Sequence, residues 1–360
     1  MPSNRFAYPV LLAAAAAAFT FTLGVSRAQQ QCPPSPATAG SSGYHLLKTI
    51  PLGGEGGWDY LEFDSATRRL FISRATKVVV LNVDTEKVVG EIPDTQGVHG
   101  IAFAPELGRG FTSNGRANTV TIFDLSTLQV LGTVKTGEGP DAILYDPASK
   151  RVFTMNGHAN SATAIDAAKG TVAGTFPLGG RPEFAVADGE GHIYTNLEDL
   201  SEQVEIDSIK LGVTARWPVA GCDAPSGLAM DREKHLLFAG CDNKVMAVVN
   251  AGSKKAIATL PIGPGVDSNR FDPGTGYAFS SNGGDGGTLT VVHEDSKKKF
   301  SLMEDVPTQQ GARTMALDPK THEVYLVTAK FGPPPAPTAE RPHPRGPVLP
   351  DTFVVLVFGK

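Results

Sequence analysis

Seven times along this chain the same short pattern returns, at a period of roughly 42 residues. An Asp closes the first apolar stretch in six copies: Asp64, Asp146, Asp188, Asp231, Asp272 and Asp318. The second copy has Ala104-Pro105 at that point. An aromatic follows in every copy: Phe71, Phe111, Phe153, Tyr194, Phe238, Phe279 and Tyr325. A third column comes after a β-branched run, with Asn82, Asp124, Asp166, Asp207 and Asn250, and His293 as its exception. Each unit ends in a further apolar stretch and a Gly-rich turn.

The pattern reads as four short strands per unit. In the third copy strand a covers 142–146 (AILYD), strand b 151–156 (RVFTMN), strand c 162–166 (ATAID) and strand d 172–178 (VAGTFPL). Gly, Asn and Asp stand between them, as tight turns require. A four-stranded sheet cannot bury both faces alone, whereas sheets packed radially bury one another and leave few open edges. The expected fold class is therefore all-β: a seven-bladed β-propeller of four-stranded antiparallel blades over residues 44–360. The last unit offers only a, b and a final strand at 352–360. The N-terminal stretch 44–52 (YHLLKTIPL) supplies its missing outer strand and closes the ring.

The segments FTSNGRANTVTIFDLSTLQVLGTV (111–134) and FTMNGHANSATAIDAAKGTVAGTF (153–176) resemble the YVTN-repeat, YncE-like β-propellers, and the resemblance extends over all seven units. It implies an exported binding module. Some members of that family bind single-stranded DNA, which needs a basic, aromatic groove.

The N-terminus agrees with export. Arg5 precedes an apolar run from Pro9 to Val25, and Ser26-Arg27-Ala28 places small residues around a cleavage point, so 1–28 reads as a signal peptide. Residues 29–43 then form a flexible tether carrying Cys32. Removal of 1–28 takes two cations, Arg5 and Arg27, and no acid, moving the formal charge from −5 to −7. An acidic protein is a poor non-specific binder of nucleic acid or anionic lipid. The expected location is the periplasm or the exterior, with no stable membrane insertion after cleavage. There an oxidised pair is permissible, and Cys222 with Cys241 in the fifth unit is the natural one.

Repeats carry an internal control: a column that keeps one residue type does turn or core work, and one that changes chemistry is free to serve a ligand. The Asp column and the Asn/Asp column are turn caps, and the aromatic column is core. Five residues before the Asp column stand Asp59, His99, Asp141, Glu183, Ser226, Asp267 and Arg313. They open strand a, the innermost strand, and should ring one mouth of the central channel. Strand b should return Arg74, Asn114, Asn156, Leu197, Cys241, Asn282 and Thr328 to the same face. Such a funnel suits Ca²⁺ or Mg²⁺ through its oxygens, or Zn²⁺ or Mn²⁺ through a His with acids, the metal candidates being Asp59, His99, Asp141, Glu183 and Asp267. It suits hydroxyl-rich or cationic small ligands equally. Glu62 and Arg270 put charges where strand a is otherwise apolar, either as an ion pair across the axis or as ligand contacts. Trp58 either stacks on a ligand or packs in the core. The insertion 330–350 in the last unit, Pro-rich and carrying Arg341, His343 and Arg345, is expected on the same face as a lid, a docking arm or a plain surface loop.

Three functions follow, the third of them single-stranded DNA binding as in some relatives, against which the acidic ring argues. The first is a non-catalytic module binding a small molecule or a periplasmic protein at the funnel. The second is a metal-dependent, lactonase-like hydrolase or a lyase, with His99 as general base and Arg313 holding an oxyanion.

Overall fold

The computed structural model describes residues 40–336, 338, 344 and 346–360. The signal segment, Cys32, and Arg341, His343 and Arg345 of the insertion lie outside the described residues.

Seven four-stranded antiparallel sheets form the blades of a propeller. Blade 3 shows the common plan, with strand a at Pro140–Asp146, b at Arg151–Asn156, c at Ser161–Asp166 and d at Thr171–Pro177. Six blades are built from consecutive strands. In the seventh, Met315–Leu317, Val324–Thr328 and Val354–Gly359 are completed by His45–Pro51, which pairs antiparallel with Val354–Gly359. The ring is thus closed by strands from both ends of the described chain. The last residues of the expected tether are docked: Ser41 and Ser42 donate to the Glu304 carboxylate of blade 6.

The aromatic column is the core. Phe71, Phe111, Phe153, Phe238 and Phe279 are fully buried, and Tyr194 and Tyr325 nearly so. A buried side chain of this size contributes roughly 2–3 kcal/mol over the exposed state. Adjacent blades share these contacts, since Phe71 meets Phe103 and Phe63 stacks on Tyr325 across blade boundaries.

Both polar columns cap turns. Asp64, Asp146, Asp188, Asp231, Asp272 and Asp318 each accept a backbone N–H two residues on. In the c–d turns Asp124, Asp166 and Asp207 accept the N–H two residues on, and Asn82 and Asn250 the one three residues on. Blade 2 has no Asp at its a–b turn and uses a short 3-10 turn, Pro105–Leu107, ended by Gly108 at φ 62°. Cys222 and Cys241 are joined as a disulfide across Cα atoms 5.4 Å apart.

Candidate functional site

Only strand a of each blade reaches the axis, so its first residues decide what the channel mouth contains. In blades 2 to 6 its pairing with strand b slips at this point, between Val98 and Ile101, Pro140 and Ile143, Pro182 and Ala185, Pro225 and Leu228, and Val266 and Ser268. A bulge re-aims the side chain that it carries. The residues on these slips are His99, Asp141, Glu183, Ser226 and Asp267, and Asp59 and Arg313 lie just before the corresponding strands of blades 1 and 7.

The structure brings six of the seven ring residues into one network. His99 Nδ1 shares a hydrogen bond with Asp59 Oδ2 at 2.5 Å and lies 3.8 Å from Asp141 Oδ1. Arg313 pairs with Asp267 through Nη1 and lies 3.7 Å from Asp59 Oδ1 through Nη2. Ser226 Oγ is 3.4 Å from Asp267 Oδ1. Glu183 stands beside Asp141 and near Glu198, which Arg181 holds as an ion pair.

The four carboxylates outnumber the two cations in a half-buried bowl, and the acids respond. Burial, with the neighbouring Asp59 and Asp267 charges, pushes Asp141 up to about 6 against the pull of His99 and Arg313. Burial and Asp59 push Asp267 up to about 6 although Arg313 is bonded to it. Burial, Asp141 and Glu198 push Glu183 up to about 9, so its carboxyl is protonated at neutral pH. For His99, burial opposes the charged imidazole, but the Asp59 hydrogen bond and the Asp141 and Asp59 charges win and raise it.

Next in strand a after Asp59, Tyr60 stacks on Phe184, with centroids 4.5 Å apart. Its hydroxyl is buried without a hydrogen-bond partner and lies in the field of all four ring carboxylates. Beside the ring opens a cavity of about 440 Å³ bordered by His99, Asp141, Glu183, His158, Arg116 and Glu138. Beyond Tyr60 a second chamber of about 470 Å³ contains Glu62 and Arg270, whose charged atoms approach to 3.8 Å across the axis. Burial raises the Glu62 carboxyl, and Arg270 offsets this in part.

The strand-b residues do not join the funnel. Asn114, Asn156 and Asn282 are fully buried and spend their amides inside their own blades, on Thr119 and Thr121, on Ser161 and Thr163, and on Thr288 and Thr290. Strand b is covered on both faces by neighbouring blades, so its end cannot face the axis. Leu197 is core, Cys241 is in the disulfide, and Thr328 donates to Gln310 O. Arg74 lies over the Phe353 ring at 3.6 Å and donates to Glu55 O. Trp58 packs against Phe353 and Phe331 and gives the ring its backbone oxygen, an acceptor for Arg313.

One supporting column escaped the sequence reading. Two residues past the aromatic, Ser73, Ser113, Asn196 and Ser281 donate to the backbone oxygens of the next blade's ring residues, His99, Asp141, Ser226 and Arg313. Its signal was present: small polar side chains recur at that position in four of the seven blades.

No known protein family and no curated protein sequence matches the chain. Solved structures do, and they share its fold, the seven-bladed β-propeller. The structure of U3-55K aligns with a TM-score of 0.69 at 11% identity, over 87% of this chain and 98% of that one. The RRP9 WD40 repeats align at 0.70 and 11%, over 91% and 99%. A chain of the mitotic checkpoint complex aligns at 0.68 and 13%, over 82% and 93%.

Proposed function

We propose that this chain is an exported, YncE-like binding propeller that takes a small positively charged ligand at the ring face. The excess of carboxylates over cations around Asp59, Asp141, Glu183 and Asp267 carries this reading. A half-buried site that already forces protons onto its own acids binds a cation favourably, because the ligand replaces protons that the site takes up from solution. The same potential repels phosphate, which weighs against single-stranded nucleic acid. Export is supported by the apolar N-terminal run and by the Cys222–Cys241 disulfide, a bond that persists in oxidising compartments.

The test is thermal melting of the chain with putrescine, tetramethylammonium, guanidinium, Ca²⁺ and Zn²⁺ in turn. A ligand that binds only the native state raises the melting temperature by mass action. At least one cation is expected to do so in the wild type and to lose the effect in Asp59→Asn. A panel in which no cation shifts the melt, or only anions and single-stranded DNA do, overturns the reading.

A further inference from the structure

Within the ring, one corner is chemically distinct from the rest. Asp59, His99 and Asp141 each offer one ligand atom, and these atoms all lie within 4.8 Å of one another. Asp267 is engaged by Arg313, whereas Asp59 and Asp141 both face the one imidazole. The imidazole is held in place from behind. Gly115 leaves room for it, since a Cβ there would lie 2.7 Å from His99 Nε2. Ser73 and Ser113 fix the backbone oxygens of His99 and Asp141. Nδ1 is thereby turned toward both carboxylates.

A second, independent observation points to a missing occupant. The Tyr60 hydroxyl, on a side chain about nine-tenths buried, has no protein partner and lies in the field of the four ring carboxylates. Buried hydroxyls are normally paired, by ordered water if not by protein.

We propose that Asp59, His99 and Asp141 bind one divalent transition-metal ion of the zinc type, with a metal-bound water reaching the Tyr60 hydroxyl. This rests on the ring-face reading and names its ligand class. Three protein ligands of N/O type with an open fourth position match zinc sites that keep a water. One imidazole with only two carboxylates is poor for Ca²⁺, which takes six to eight oxygens. Charge agrees: Asp267 is paired to Arg313, and two carboxylates with a neutral imidazole carry a charge of −2 that one divalent ion neutralises. On binding, the proton shared between His99 and Asp59 leaves to solvent, so metal uptake releases protons.

The experiment uses the full chain with its disulfide intact, stripped with EDTA and dialysed. Zn²⁺ is titrated against a chromophoric chelator, and Co²⁺ is added separately for its visible spectrum. One ion per chain is expected, with the intense Co²⁺ absorption of a four-coordinate N/O site. His99→Ala and Asp141→Asn are each expected to weaken Zn²⁺ binding by about 100-fold or more. His192→Ala removes a histidine that pairs with Asp188 away from the ring and is expected to change nothing. Should His99→Ala fail to fold, Asp141→Asn and the wild-type Co²⁺ spectrum decide. Zn²⁺ binding that survives His99→Ala, Ca²⁺ binding of equal strength, or no binding tighter than about 100 µM each overturns the metal site. If an organic cation still stabilises the chain and Zn²⁺ does not bind, the metal assignment fails and the ring-face reading stands. If neither binds, both fail.

Discussion

The two ends of strand a carry the same acid in opposite conditions. At the turn end, Asp146, Asp231, Asp272 and Asp318 are almost completely buried, yet each has backbone N–H groups to accept. Burial works to raise Asp318, but Thr321, the Lys320 N–H, Arg68 and Ser65 outweigh it and hold its carboxyl below the ordinary range. At the ring end, Asp141, Glu183 and Asp267 are less buried by the side-chain surface they expose, have fewer donors and are pushed up. The supply of donors, rather than burial alone, decides the state of a carboxylate. The turn end is built for stability, and the ring end tolerates a cost that stability alone does not explain.

The largest test of this contrast is Asp318→Ala. It removes a turn cap and the partner of Arg68, which joins blade 7 to blade 1 beside the ring closure. A loss of about 3 kcal/mol is expected in denaturant unfolding, because the Lys320 N–H and the Ser65 and Thr321 hydroxyls lose this acceptor and Arg68 loses one of its two carboxylates. A loss below about 1 kcal/mol means that the closure does not depend on this clamp.

The contrast also fixes the shape of the pH profile. Turn acids with lowered folded values, such as Asp318 and Asp124, add stability that is present above the unfolded carboxylate range and lost as pH falls through the folded value. Ring acids act in the opposite sense. The folded state keeps protons that the unfolded state has released, so stability declines as pH rises from about 4 to about 6 for Asp141 and Asp267, and on to about 9 for Glu183. His99, raised when folded, adds stability that is complete below its unfolded value and is lost above the folded one. The metal-free chain is therefore expected to be most stable in mild acid, as read by melting temperature between pH 4 and 9. A maximum at pH 8 sinks the comparison.

Glu183→Gln sharpens it. Since the native carboxyl is already protonated at neutral pH, the amide keeps the neutral state and removes the cost of ionisation in the unfolded chain's favour. A gain of about 1 kcal/mol at pH 8 is expected, together with a flatter alkaline limb. In the c–d turn of blade 2, Asp124→Ala deletes the acceptor for the Ser126 and Thr127 N–H groups and is expected to lower the melting temperature slightly.

What could be read from sequence follows the same division. The Asp column was legible because a turn repeats its chemistry in every blade, and the ring because the fold gives each blade one residue at one depth. Asn114, Asn156 and Asn282 were misplaced because their position in strand b was read without the neighbouring blades that cover it. Tyr60 was passed over because nothing in a single copy marks it. Its signal lies between copies: Gly100, Ala142 and Gly227 are small at the same position, where Tyr60 and Phe184 stack. The Glu62–Arg270 pair was visible as a break in an apolar column, and the axis brings the two side chains together.

Tyr60→Phe is the smallest change and bears most directly on why the ring end is built at a cost. An unpaired buried hydroxyl is destabilising, and its removal leaves the ring stacked on Phe184 undisturbed. In the metal-free chain the variant is expected to gain about 0.5 kcal/mol. With Zn²⁺ present the sign should reverse, since the hydroxyl then has a metal-bound water to meet. Melting curves of both chains with and without Zn²⁺ read this as a double difference. A metal-free loss instead of a gain means that the hydroxyl is already paired with solvent, and the strongest structural sign of a missing occupant disappears with it.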